Sequence, residues 1–101
     1  MSTNSDELSS LFARIPRRHT VENVKELNEI LDAYENILLG IEAEPAYEKA
    51  VAVFFDDLET VRATIKNSSH SKHSKPAKDK LFDEGSGVLK NSMEELMKTY
   101  Q

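Results

Sequence analysis

A chain of 101 residues is one domain's worth of polypeptide, and a composition 39% apolar and 31% charged argues against a disordered tail and against a membrane-spanning protein. The longest uninterrupted apolar run, Ala50–Phe55, is six residues, well short of the roughly 18 that a bilayer-crossing helix requires, and the polar, acidic Met1–Glu7 does not read as a secretory signal. The net charge is −5 and there is no cysteine, which removes disulfides, thiolate nucleophiles and cysteine-based zinc sites and suits a reducing, cytoplasmic setting.

Residues 1–5 read as a flexible N-terminus and 6–101 as a single helical domain. Ser5 is placed to cap a short helix, with Asp6 and Glu7 in the first turn where the helix dipole favours negative charge. Leu8, Leu11, Phe12 and Ile15 recur at helical spacing until Pro16 stops the run, and Arg17, Arg18 and His19 form a basic joint. Thr20 then caps a second helix running to about residue 42. Val24, Leu27, Leu31, Tyr34, Leu38 and Ile41 make its apolar stripe, widened by Ile30 and Ile37, while Glu26, Asn28, Glu29, Asp32, Glu35 and Asn36 occupy the other side.

Pro45 reads as the first residue of a third helix, whose stripe is Tyr47, Ala50, Val51, Phe54, Leu58, Val61 and Ile65, with Phe55 beside it. Residues 67–75, NSSHSKHSK, contain nothing apolar and predict a mobile connector that buries nothing. Pro76 opens a last helix with Leu81, Phe82, Leu89, Met93, Leu96, Met97 and Tyr100 facing inward. Gly85 and Gly87 lie inside it, which predicts a kink, a later helix start at 84–86, or a close helix contact. The expectation is an all-α fold: an antiparallel three-helix bundle with a short additional N-terminal helix.

The charge is unevenly distributed. Residues 66–80 hold five lysines (Lys66, Lys72, Lys75, Lys78, Lys80) against Asp79, a local +4 that leaves −9 on the rest of the chain. A charged connector is solvated in most proteins, but this one also suits an anionic partner, either a phosphoinositide-rich membrane or an acidic protein. Arg14, Arg17 and Arg18 would add to it if they lie at the same end. Nucleic acid is disfavoured, because the acidic bulk repels phosphate and no aromatic residue stands among the lysines to stack a base.

His70 and His73 supply two of the four ligands that zinc needs, with only Ser, Lys and Asn around them and lysines that repel a cation, so no metal or other cofactor is expected. The pairs Asp56-Asp57 and Glu94-Glu95 point about 100° apart on a helix and are not preset as catalytic dyads. GSG at 85–87 lacks the Lys-Ser/Thr and the preceding strand of a phosphate loop. A non-enzyme is expected. Arg17-Arg18-His19-Thr20 matches a basophilic kinase site, a short pattern that also arises by chance, and Thr20 is accounted for as a cap. Tyr34, Tyr47, Phe54 and Phe55 read as core, with the tyrosine hydroxyls at its rim.

Leu81-Phe82, Gly85, Leu89, Met93 and Leu96-Met97 form L-F-x-x-G-x-x-x-L-x-x-x-M-x-x-L-M. This pattern resembles a helix in the N-terminal region of the exocyst's Exo-seventy subunit family. Asn23-Val24 with Leu27 is similar to that family's N-V helix, and Val53–Ile65 followed by Asn67-Ser68-Ser69 is similar to its next helix and Asn/Ser-rich turn. Where the family carries Gly-Pro before the second helix, this chain has Glu44-Pro45. The resemblance implies a vesicle-tethering subunit built of stacked helical bundles, contacting helical partner subunits, small GTPases and phosphoinositides, with no catalytic residue. Function is therefore expected to be protein–protein interaction in the cytoplasm or peripherally at a membrane. The competing reading is a small stand-alone regulator, of the immunity or inhibitor type, that binds a basic target through its acidic helices.

Overall fold

A computed structural model describes residues 3–70 and 72–100, with side chains placed at 6–70 and 72–98. The described residues form four helices and no strand: α1 (Thr3–Arg14), α2 (Val21–Glu42), α3 (Glu48–Ser68) and α4 (Lys75–Tyr100). The molecule measures 44 × 22 × 18 Å. α1 packs on α2 and α4, α2 on α3, and α3 on α4. None of the helices is long and apolar enough to cross a membrane.

The apolar stripes account for the core. Leu27, Ile30, Leu31, Tyr34, Ile37, Leu38 and Ile41 are buried on α2, and Val51, Phe54, Leu58, Val61 and Ile65 on α3. Phe82, Leu89, Met93 and Leu96 complete it from α4, and Leu8 and Leu11 from α1, in one continuous cluster. The α3 row alternates steps of three and four, the spacing that keeps side chains on one helical face, and Ile30 and Ile37 widen the same kind of row on α2. Ala50 departs from its expected place and is exposed, because it stands one residue, about 100° of rotation, from Val51 on the buried row.

Four boundaries differ from the sequence reading, each for a local reason. α1 begins at Thr3, so Ser5 is inside the helix and not its cap; the side chains of Ser5 and Tyr100 lie outside those described. Pro45 does not open α3. The Tyr47 amide donates to the Glu44 carbonyl at 3.0 Å, closing a turn in which Pro45 sits second, where its fixed φ is favourable. α3 continues through Ser68, which is fully buried, its hydroxyl donating to the Ile65 carbonyl at 2.6 Å. The 67–75 segment therefore does bury a residue: a serine that bonds back to its own helix needs no other partner. α4 starts at Lys75, one residue before Pro76, with the Ser74 carbonyl accepting the Lys78 amide at 2.9 Å.

Gly85 and Gly87 lie in continuous helix, and no described residue has a positive φ. The two positions differ in their surroundings. A methyl group at Gly85 would meet Ile65 Cδ1 at 2.7 Å and Thr64 Cγ2 at 3.4 Å, whereas at Gly87 it would meet no described atom within 4 Å beyond its chain neighbours and its own helix backbone. The continuous helix excludes a later start at 84–86, and the close helix contact is observed, at Gly85 and not at Gly87. The apolar row on α4 passes from Phe82 to Leu89 through Ser86, which is fully buried and whose hydroxyl has no partner among the described residues.

Candidate functional site: a basic cleft at the α1–α2 joint

Pro16 and the residues around it hold the chain out of helix between Arg14 and Val21. Thr20 then caps α2 as expected: its backbone is extended, and its Oγ1 accepts the Asn23 amide at 2.9 Å. The Asn23 side chain donates to the Arg18 carbonyl at 3.0 Å, which fixes the joint from the other side. Two further contacts tie it to the rest of the molecule. Arg17 Nε donates to Asp83 Oδ1 on α4 at 2.8 Å, and the ion pair brings a terminal guanidinium nitrogen within 2.7 Å of the same oxygen. His19 stands edge-on to Phe82 with ring centres 5.9 Å apart, and its Nε2 lies 3.3 Å from the Ser69 hydroxyl.

The joint and the first three turns of α4 enclose an open cleft of about 530 Å³, lined by Arg17, Arg18, Lys75 and Lys80 together with Asp79 and Asp83. Four cations face two carboxylates, and one of these carboxylates is held by Arg17. Arg18, Lys75 and Lys80 have no ion-pair partner among the described residues. Lys66 lies elsewhere, in a neighbouring cleft of about 370 Å³ between α2 and α3, with Val24, Arg62 and Ser69. The His19–Ser69 contact joins the linings of the two clefts. Lys72 and Lys78 line neither cleft, and Arg14 is paired with Glu26. Of the seven candidate cations, the structure thus brings four into one cleft. Asp79 and Asp83, which temper their charge, come from the turns of α4 that present the lysines.

The two loop histidines are engaged with their own connector. His70 Nδ1 accepts the Lys72 amide at 3.2 Å, and His73 Nε2 lies 3.2 Å from the Asn67 side-chain oxygen. Among the described residues no group of three or more His, Asp or Glu is placed to hold a metal ion. The Tyr34 hydroxyl is not at the rim of the core. Tyr34 is fully buried, and its oxygen lies 2.7 Å from Ser92 Oγ, which is itself buried on α4. Burial pushes the Tyr34 ionisation well above the ordinary tyrosine value; the Ser92 hydrogen bond opposes this shift and the Asp57 charge adds to it.

No family model, curated protein or solved structure matches the chain.

Proposed function

We propose that the chain is a non-enzymatic interaction module, an antiparallel helical bundle that binds other proteins and turns its basic end toward an anionic membrane surface, as part of an exocyst-like tethering assembly. The observation that carries this reading is the cleft, where Arg17 and Arg18 meet Lys75 and Lys80 from a segment far away in sequence. Basic residues near an anionic bilayer contribute roughly 1 kcal/mol each, so three unpaired cations support weak, salt-sensitive docking. The antiparallel arrangement is supported by cross-helix contacts. Arg62, late in α3, reaches Asp32 and Glu35 in the middle of α2. Ser9 reaches Met97 while Phe12 lies under Lys90, so advancing along α1 moves backward along α4. α1 contributes to the core beside the other three helices, whose stripes carry most of the burial.

Vesicle flotation tests the reading. The protein should float with vesicles containing phosphatidylinositol bisphosphate at low salt, and Arg18→Glu/Lys75→Glu/Lys80→Glu should abolish this while leaving the circular dichroism unchanged. Failure of the unaltered protein to float would overturn the membrane arm. A second reading, the stand-alone regulator, is favoured by the excess of −9 outside residues 66–80. It requires tight binding to a basic protein that survives the triple substitution.

A further inference from the structure

We infer that Thr20 is a phosphorylation site for an arginine-directed protein kinase, and that its phosphate is clasped by Arg18, Lys75 and Lys80 across the basic cleft. The inference is independent of membrane docking, since neither the modification nor the clasp involves lipid.

Three observations converge on this hydroxyl. The first is the motif: Arg17-Arg18-His19-Thr20 places two guanidiniums at the third and second positions before a threonine, with the apolar Val21 after it. The second is presentation. Kinases thread their substrates as extended chain, and residues 15–20 are already outside helix, with Arg17, Arg18 and Thr20 exposed and Val21, the first residue of α2, 86% exposed. Arg17 is held by Asp83, but both side chains are about half exposed and such a pair costs little to open. Thr64, which also follows an arginine closely, contrasts with Thr20: it is inside α3, and its hydroxyl donates to the Thr60 carbonyl at 2.8 Å. Thr20 Oγ1 accepts one hydrogen bond from Asn23, and no described acceptor takes its proton.

The third observation is the destination of the new charge. Thr20 lines the same cleft as Arg18, Lys75 and Lys80, none of them ion-paired among the described residues. In the modification step, Thr20 Oγ1 attacks the γ-phosphorus of a nucleoside triphosphate bound to the kinase. The new O–P bond forms as the bond from γ-phosphorus to the bridging oxygen breaks, the hydroxyl proton passes to the kinase's base, and nucleoside diphosphate leaves. The chain gains about −1.5 to −2 of charge and three acceptor oxygens. Asp79 and Asp83 repel that charge, but Asp83 is engaged by Arg17, which leaves three free cations against one free carboxylate. The same oxygens retain the capping bond to Asn23, where negative charge suits the start of α2. Phosphorylation would therefore link the α1–α2 joint to the start of α4.

The test uses the full 101-residue chain, a purified arginine-directed kinase and radiolabelled ATP. Incorporation should approach one phosphate per chain, map to Thr20 by mass spectrometry, and fall at least about ten-fold in Arg17→Ala/Arg18→Ala, the loss expected when about 1.4 kcal/mol of recognition is removed. Thr20→Asn serves as the blank, because asparagine preserves the cap yet takes no phosphate. Label equal to that of Thr20→Asn, or mapped to another residue, overturns the site. The clasp is read separately. The phosphorylated protein should melt roughly 4–8 °C higher, and exchange its amide hydrogens more slowly at Lys75, Ala77 and Lys78, with both effects lost in Lys75→Ala/Lys80→Ala. A phosphorylated protein whose midpoint is unchanged or lower would overturn the clasp.

Discussion

Asp83 and Gly85 stand two residues apart on α4 and belong to opposite regimes. Asp83, about half exposed, pairs directly with Arg17 in the lining of an open cleft. Gly85 is buried, and the missing side chain lets Ile65 approach so closely that a methyl group would fall 2.7 Å from its Cδ1. One turn of helix thus carries a contact made by charge, which solvent weakens and the chain can rearrange. It also carries a contact made by shape, which has no solvent to relax into. The core is built from contacts of the second kind, and the open cleft from contacts of the first.

The largest effect should come from the closed side. Leu58 is 3% exposed within the core, and Leu58→Ala should cost about 2–5 kcal/mol, a large share of a small domain's stability. A chemical denaturation midpoint unmoved by that change would mean that the α3 stripe is not packed as described.

Tyr34→Phe should cost roughly 1–3 kcal/mol, because it strands the buried Ser92 hydroxyl while removing little volume. Its pH dependence gives a second readout. The folded ionisation is raised by burial, so at high pH the unfolded chain loses the proton first. The Tyr34 share of stability is then complete below about pH 10 and lost as pH rises beyond it. Denaturation melts from pH 8 to 11 should fall more steeply for the unaltered protein than for Tyr34→Phe, and equal slopes would count against a buried hydroxyl.

The two glycines of α4 sharpen the contrast further. Gly85→Ala should destabilise by about 1 kcal/mol net, with overpacking against Ile65 outweighing the gain in helix propensity. Adding Ile65→Val removes the Cδ1 atom in the way, and a double-mutant cycle should recover most of the loss. Gly87→Ala meets no described atom of another helix within 4 Å and should stabilise by up to roughly 1 kcal/mol. Equal responses at the two positions would remove the close approach as an explanation. At the open side, Arg17→Ala should move stability by no more than about 0.5–1 kcal/mol, and less at high salt, since the Asp83 pair is solvated.

The helical class and most of the core were legible in the sequence because the stripes are long and regular. Leu31, Phe54, Leu58 and Leu89, far apart in the chain, lie in one cluster as their spacing predicts. The Thr20 cap was legible too, since a threonine just before an apolar-periodic run, with Glu22 in the first turn, is the pattern of a helix start. Pro45 was misread because the residue suits both the first turn of a helix and the second position of a tight turn; the Glu44–Tyr47 hydrogen bond decides between them. Ser68, Ser86 and Ser92 were missed because a polar residue on a buried row looks like an interruption. The seven-residue gap from Phe82 to Leu89, filled by Gly85 and Ser86, was the available signal. The grouping of Arg17 and Arg18 with Lys75 and Lys80 was only conditional in the sequence, and the exclusion of Lys66, Lys72 and Lys78 was invisible there. Which cations share a cleft depends on how the helix ends meet, and no local pattern encodes that.

Tyr34 and Ser92 are 58 positions apart, yet each supplies the hydrogen-bond partner of the other's buried hydroxyl. Replacing either one alone leaves the other's hydroxyl unsatisfied, while replacing both, by phenylalanine and alanine, leaves nothing to satisfy. Descendants of this chain therefore face a valley between two acceptable states. The two sites are expected to drift together, tyrosine with serine or phenylalanine with alanine, with the mixed combinations short-lived.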